Sequence, residues 1–188
     1  MKEIYLRNTP ENHGGVLETY PHYEMIEHLV KWVKPINYLE IGVRHGTVYH
    51  LVNKYCEKCY LVDIEFLDIG YSTNTIKFEM TSDSFFNSIN PNVKFDFVFI
   101  DGDHSKEQVL KDFLNVKDMV VEDGFIILHD TYPCDERMEL PHHSNDAWKT
   151  ALHIKQNFKD EFELVTLPFN PGLTIIKKMN INKQLLWK

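Results

Sequence analysis

The chain has 188 residues, enough for one domain with its own core. Its 43% hydrophobic and 26% charged content is that of a globular protein. The net charge of −8, with no run of Lys or Arg, argues against a nucleic-acid partner. No stretch is long and apolar enough to cross a bilayer, so no membrane partner is expected. Met1-Lys2-Glu3-Ile4 lacks the basic-then-apolar pattern of a signal peptide. Three cysteines without an export signal point to free thiols and a cytoplasmic location. Cys56-x-x-Cys59 has no second pair nearby, so a structural role is expected over a metal or redox one.

In chain order, the first helix is expected over 22–34, with Met25, Ile26, Leu29, Val30 and Val33 at helical spacing between Pro21 and Pro35. A buried strand follows over 36–41, then a turn from Gly42 to Gly46 and a helix over 47–55. Strands are expected at 58–64 and 75–79, and a short helix at 83–89. Phe95 to Ile100 is the clearest strand, with Asp101 just past its end. A helix over 105–120 is capped by Ser105. Asp123-Gly124 reads as a turn launching a strand over 125–128, which ends in His129-Asp130. Residues 131–145 are polar and read as a surface loop, followed by a helix over 146–158 capped by Asn145. Strands at 161–167 and 173–177 form an antiparallel hairpin, since too few residues separate them for a crossover. This is one α/β domain: a helical segment over 1–35, a core over 36–178 and a tail over 179–188. Its seven-stranded sheet is mostly parallel, with helices on both faces and the last strand antiparallel.

In such sheets ligands bind at the carboxyl ends of the strands. Glu40, Asp63, Asp101 and Asp130 all fall there, and four strand-end carboxylates in succession favour a site over packing. Gly42 and Gly46 follow a strand and open a helix, where glycine allows a sharp turn and close approach of a ligand. The spacing is G-x-x-x-G, not the G-x-G-x-x-G of dinucleotide folds. Asp63 lies 17 residues past Gly46, placed to accept hydrogen bonds from a ribose.

Glu40-x-Gly42-x-x-x-Gly46, Asp63, Ser82-Asp83 and the stretch 95–130 resemble the class I S-adenosylmethionine-dependent methyltransferases. The likeness covers 36–178 and implies their Rossmann-like sheet. Phe97-Val98-Phe99-Ile100-Asp101-Gly102-Asp103-His104 and Leu128-His129-Asp130-Thr131 resemble the branch of macrocin O-methyltransferase and cephalosporin-hydroxylase-like proteins. That branch is similar to the metal-dependent catechol and caffeoyl-CoA enzymes. The resemblance implies S-adenosylmethionine as cofactor. Glu40 and the Gly42–Gly46 turn would take its methionine part, Asp63 its ribose and Asp83 its adenine. One departure is that about ten residues separate Asp63 from the next strand, so the usual intervening helix is truncated or absent.

Asp101 and Asp130 end adjacent strands and are placed to share Mg²⁺ or another divalent ion, which would activate an acceptor hydroxyl. Relatives carry Asp-Asn or Glu-Asp where this chain has His129-Asp130. His129 is either a third ligand, shifting preference toward a transition metal, or a packed histidine. Relatives place a lysine base three residues after the first aspartate. Here that position is His104, either a general base or a helix-capping residue. Asp103 is either a further ligand or an N-terminal helix charge. His142 and His143 lie in the loop expected to border the acceptor. The reading is O-methylation of a small hydroxylated acceptor, a sugar or natural product. A non-catalytic cofactor-binding module and another reaction on the same fold are the rivals. The first helix is a candidate contact in a homo-oligomer.

Overall fold

The computed structural model describes residues 22–133, 136–168 and 171–180. The expectations for 1–21, Cys134 and the tail from 181 lie outside these residues. Seven strands form one sheet: β1 (Asn37–Ile41), β2 (Lys58–Asp63), β3 (Thr75–Glu79), β4 (Phe95–Ile100), β5 (Val120–His129), β6 (Phe162–Leu167) and β7 (Leu173–Lys178). Their order across the sheet is β3-β2-β1-β4-β5-β7-β6. All neighbours are parallel except β7, which runs antiparallel to both β5 and β6. The seven-stranded α/β expectation therefore holds, including the closing hairpin.

The helices are α1 (His22–Val33), α2 (Thr47–Val52), α3 (Ser82–Ser88), α4 (Lys106–Val116) and α5 (Trp148–Asn157). They cover both faces, which is why the central strands read as unbroken apolar runs. From Phe97 onward, past the register slip, the two-residue period of β4 divides its side chains between two cores. Val98 and Ile100 join a core with Phe113 of α4 and Ile154 of α5, while Phe97 and Phe99 join one with Ile26 and Val30 of α1 and Val48 of α2. Cys56 and Cys59 are buried in the second core, and Cys56 Sγ donates to the Val52 carbonyl at 3.4 Å. These thiols therefore pack as small apolar groups. Among the described residues no helix is long and apolar enough to cross a membrane.

Several boundaries differ from the sequence expectation. Asp123-Gly124 lies inside β5, not before it. Between the pairs Phe95↔Val120 and Phe97↔Phe125 the register slips, and Asp123 takes φ 64°. The turn signal thus marks a bulge within one long strand. Asn145 does not cap α5. It has φ 48°, and the helix starts at Trp148 after Asp146 has turned its carboxylate to the Lys106 amide at 2.7 Å. Ser105 does cap α4, accepting from the Gln108 amide. Residues 64–74 contain no helix, as the short spacing implied. Side chains hold this stretch instead. Ser72 N donates to Tyr49 Oη at 2.7 Å, and Asn74 Nδ2 donates to the Cys56 carbonyl at 3.0 Å.

The strand order reverses between β1 and β4, where the chain leaves β1 in one direction and β4 in the other. There Gly42 has φ 84°, and a Cβ built on it would overlap the Asp101 carbonyl and the Gly102 Cα. Only glycine fits that approach. Gly42→Ala is expected to destabilise the fold by at least about 1–2 kcal/mol from the left-handed backbone alone, with the backbone overlap adding to it. Urea denaturation checks this; a variant as stable as the parent would refute the close-packed turn.

Candidate active site

The reversal opens a cavity of about 1130 Å³ at the carboxyl end of the sheet. Most residues singled out from the sequence line it: Glu40, Gly42, Asp63, Asp83, Asp101, Asp103, His104, His129 and Asp130, while Gly46, His142 and His143 do not. Its lining falls into two groups, two arms of the site: residues around the glycine turn and residues at the β4 and β5 ends.

The turn is built by backbone geometry. Gly46 has φ 68° and caps α2 without a side chain, and its amide donates to the Val43 carbonyl at 2.7 Å. Asp63 clamps the turn from β2. Its Oδ2 accepts from the amides of Val43 at 2.7 Å and Arg44 at 2.8 Å. Its sequence-expected role toward a ribose is thus joined by one that spacing alone did not show: holding the cradle in shape. Glu40 is buried at the end of β1, and Tyr38 Oη donates to its Oε2 at 2.6 Å. Burial pushes the Glu40 carboxyl up to about 8, against the lowering by Tyr38, and the charges of Asp101 and Asp63 add to the rise.

The far side of this arm comes from α3 and α4. Asp83 is half-exposed and held by Lys111 at 2.6 Å and Gln108 at 3.3 Å, and both contacts lower its pKa. Gln108 Nε2 also reaches Ser82 Oγ at 3.1 Å and Asp112 Oδ1 at 3.0 Å. Asp112 is buried, and burial raises it to about 6 against the hydrogen bonds of Ser82 and Gln108. The sequence reading missed Gln108 and Asp112. The available signal was an aspartate in the apolar stripe Val109, Phe113, Val116, where a solvated charge has no place.

The second arm brings the sequence-predicted metal and base residues together. Ligand atoms of Asp101, His104 and Asp130 all lie within 4.8 Å of one another. His129 Nδ1 is 2.9 Å from Asp101 Oδ1 and 3.4 Å from Asp130 Oδ2. His104 Nδ1 is 3.1 Å from Asp130 Oδ2, and its Nε2 is 3.8 Å from Asp101 Oδ1. The four side chains thus alternate imidazole and carboxylate around a closed loop. Asp130 is buried in a left-handed conformation (φ 59°), and its Oδ1 accepts from Ser144 Oγ at 2.8 Å. Burial opposes its charge, but His129, His104 and Ser144 bring its pKa down to about 2. Burial also opposes charge on His129, yet Asp101 and Asp130 hold its pKa well above the usual imidazole value.

Local contacts show what several of these residues do for the fold. His104 does not cap α4, because Ser105 does. Its Nδ1 donates to the His143 carbonyl, so in the neutral ring the lone pair would lie on Nε2. Asp103 accepts from the Ser105 amide at 2.7 Å and serves the helix start. His143 contributes its carbonyl, and His142 is exposed. The loop 131–145 does border the site, since Ser144 and His143 anchor Asp130 and His104.

Residues 39–131 match the family described as a methyltransferase domain. No curated protein is similar enough in sequence to match. Among solved structures, the chain superposes on the O-methyltransferase TomG from Streptomyces achromogenes, involved in tomaymycin synthesis and in complex with SAM. That match has TM-score 0.67 at 11% identity, over 85% of this chain and 80% of that one. The SAH-bound methyltransferase PaMTH1 of Podospora anserina matches with TM-score 0.61 at 12% identity, over 96% and 89%. MycE, a methyltransferase of the mycinamycin biosynthetic pathway in complex with Mg and SAH, matches with TM-score 0.58 at 15% identity. There the match covers 89% of this chain but 52% of MycE. At these identities the superpositions show a shared fold. The chain thus has the fold of the class I methyltransferases, and its residues 39–131, just under half of its length, are similar to a methyltransferase domain.

The buried Glu40 carries a pH signature. Its pKa is raised from 4.5 to about 8 on folding. Between those values the native state keeps a proton that the unfolded chain releases, so this group makes stability fall as pH rises. Glu40→Gln removes the effect. Its stability gain over the parent should grow from pH 5 to pH 8, by up to about 1.4 kcal/mol per pH unit, and level off above. Thermal melts of both proteins across that range check it, and a pH-independent difference would show that Glu40 is not buried as described.

Proposed function

We propose that the chain methylates a hydroxyl oxygen of a small molecule, a sugar or natural product, with a divalent ion assisting. One observation carries this reading: a single cavity joins a glycine cradle clamped by Asp63 to a carboxylate–imidazole cluster at the neighbouring strand ends. The residues fit both groups. The cradle offers a backbone turn against which a Cβ would clash; the cluster offers carboxylate oxygens of Asp101 and Asp130 within 4.8 Å of a His104 nitrogen, with His129 Nδ1 at 2.9 and 3.4 Å from the same two carboxylates. The O-methyltransferase TomG with SAM and MycE with Mg and SAH support the same pairing.

S-Adenosylmethionine supplies an activated methyl group on sulfur. The protein's part is to position and polarise. Glu40 and the 42–46 turn would receive the methionine part and Asp63 the ribose. Asp83 would receive the adenine, with Gln108 and Asp112 bounding that end. A divalent ion held by Asp101, Asp130 and His129 would lower the acceptor's pKa and fix its oxygen. His104 Nε2, with its ring anchored through Nδ1 to the His143 carbonyl, is oriented to take the acceptor's proton. Burial of the second arm strengthens each of these interactions relative to water.

Calorimetry with S-adenosylhomocysteine should give a Kd below about 100 µM. Methyl transfer to a panel of sugars and catechols, read as S-adenosylhomocysteine release, should fall about 10²-fold or more in Asp101→Asn, Asp130→Asn and His104→Ala. Cofactor affinity should stay within about threefold in all three. Failure of the parent to bind the cofactor product would sink the methyltransferase reading. Full turnover by His104→Ala would remove the base.

A further inference from the structure

The unusual member of the second arm is His129. It stands at the end of β5 between Asp101 and Asp130. Its side chain is 12% exposed, and both ring nitrogens are buried. Neither nitrogen makes a hydrogen bond. Nδ1 is close to two carboxylate oxygens, at 2.9 and 3.4 Å, yet off the line that a hydrogen bond requires. An unsatisfied buried nitrogen is costly and calls for a partner. The ring cannot swing away to find another. It packs against His22 at 4.4 Å between centroids and against Phe99 at 6.2 Å. Asp130 is fixed from its other side by Ser144.

We infer that this site takes a nitrogen-ligated transition-metal ion, held by Asp101, Asp130 and the Nδ1 of His129, in preference to Mg²⁺. The inference rests on the metal-assisted reading above and narrows it to one class of ion. Two carboxylates close together need a balancing positive charge. A proton on His129 supplies charge alone, whereas an ion between the carboxylates also gives Nδ1, ion-paired but without a hydrogen bond, a directional bond. The donor chemistry then selects the ion. Oxygen-only sites suit Mg²⁺, while a neutral imidazole favours ions such as Co²⁺, Mn²⁺, Fe²⁺ or Zn²⁺. His104 is not needed as a ligand in this arrangement. Its Nδ1 donates to the His143 carbonyl, and its side chain is the more exposed of the two imidazoles, with Nε2 3.8 Å from Asp101 Oδ1.

The test uses the full chain with S-adenosylhomocysteine present. Calorimetry with Co²⁺ and with Mg²⁺ should show Co²⁺ binding at least about tenfold tighter. Electron-spin-echo spectra of bound Mn²⁺ should show coupling to an imidazole nitrogen. That coupling should persist in His104→Ala and vanish in His129→Asn. Mg²⁺ binding as tightly as Co²⁺, no nitrogen coupling in the parent, or a coupling lost in His104→Ala would each overturn the inference. If His129→Asn does not fold, the parent and His104→Ala spectra decide the question. Metal selectivity is read without turnover. Its failure would leave cofactor binding intact, and failure to bind S-adenosylhomocysteine would strike the proposed function instead.

Discussion

The site rests on one close approach: the backbone of Gly42 against the backbone of Asp101 where the strand order reverses. A side chain at Gly42 would push the ends of β1 and β4 apart. With glycine there, the two loops pack at van der Waals distance, and the cradle after β1 shares a cavity with the Asp101 carboxylate after β4. Methyl transfer is a direct displacement, so donor and acceptor must meet within a few ångströms. On the proposed function, the approach at Gly42 would hold the two sides of the reaction close through backbone packing. Asp63 reinforces it from β2 by tying down the amides of Val43 and Arg44.

Around this contact the electrostatics divide the cavity. In the cradle arm, Glu40 is buried without a cation beside it, and its pKa rises to about 8. In the other arm, burial is opposed by charge pairing. Asp130 is held to about 2 because two imidazoles face it. The same residue type at a strand end thus meets opposite conditions, set by neighbours from other elements. The cradle arm presents a carboxyl whose charge a bound ammonium would favour. The cluster arm presents Asp130 kept ionised, as a cation site requires.

Much of this was legible in the residues. Apolar runs bounded by turns placed all seven strands, and the short Asp63-to-Thr75 spacing announced the missing helix. Gly42 and Gly46 were legible because few residues other than glycine adopt their backbone angles. Errors gathered where two local signals compete. Asp123-Gly124 carries turn chemistry, yet β4 and β7 on either side hold it within β5 as a bulge. Asn145 is a good capping residue, but Asp146 is pulled away to the Lys106 amide and the helix starts later. Asp112 was passed over because a carboxylate within a helix usually faces water. Only the packing of α3 beside α4 turns it toward the cavity.

By itself the sequence determined the order of the elements, the carboxylates at the strand ends and the spacing of the glycine turn. These follow from local backbone preference and hydrophobic period, which act within a few residues. The tertiary structure alone decided which of those groups meet. It brought His129 beside Asp101 across two strands, anchored His104 on the carbonyl of His143, and set Gln108 and Asp112 at the far end of the cradle arm. Hydrogen bonds and charge pairs depend on distances across the sheet and between helices. No pattern along the chain specifies those distances until the strands have paired.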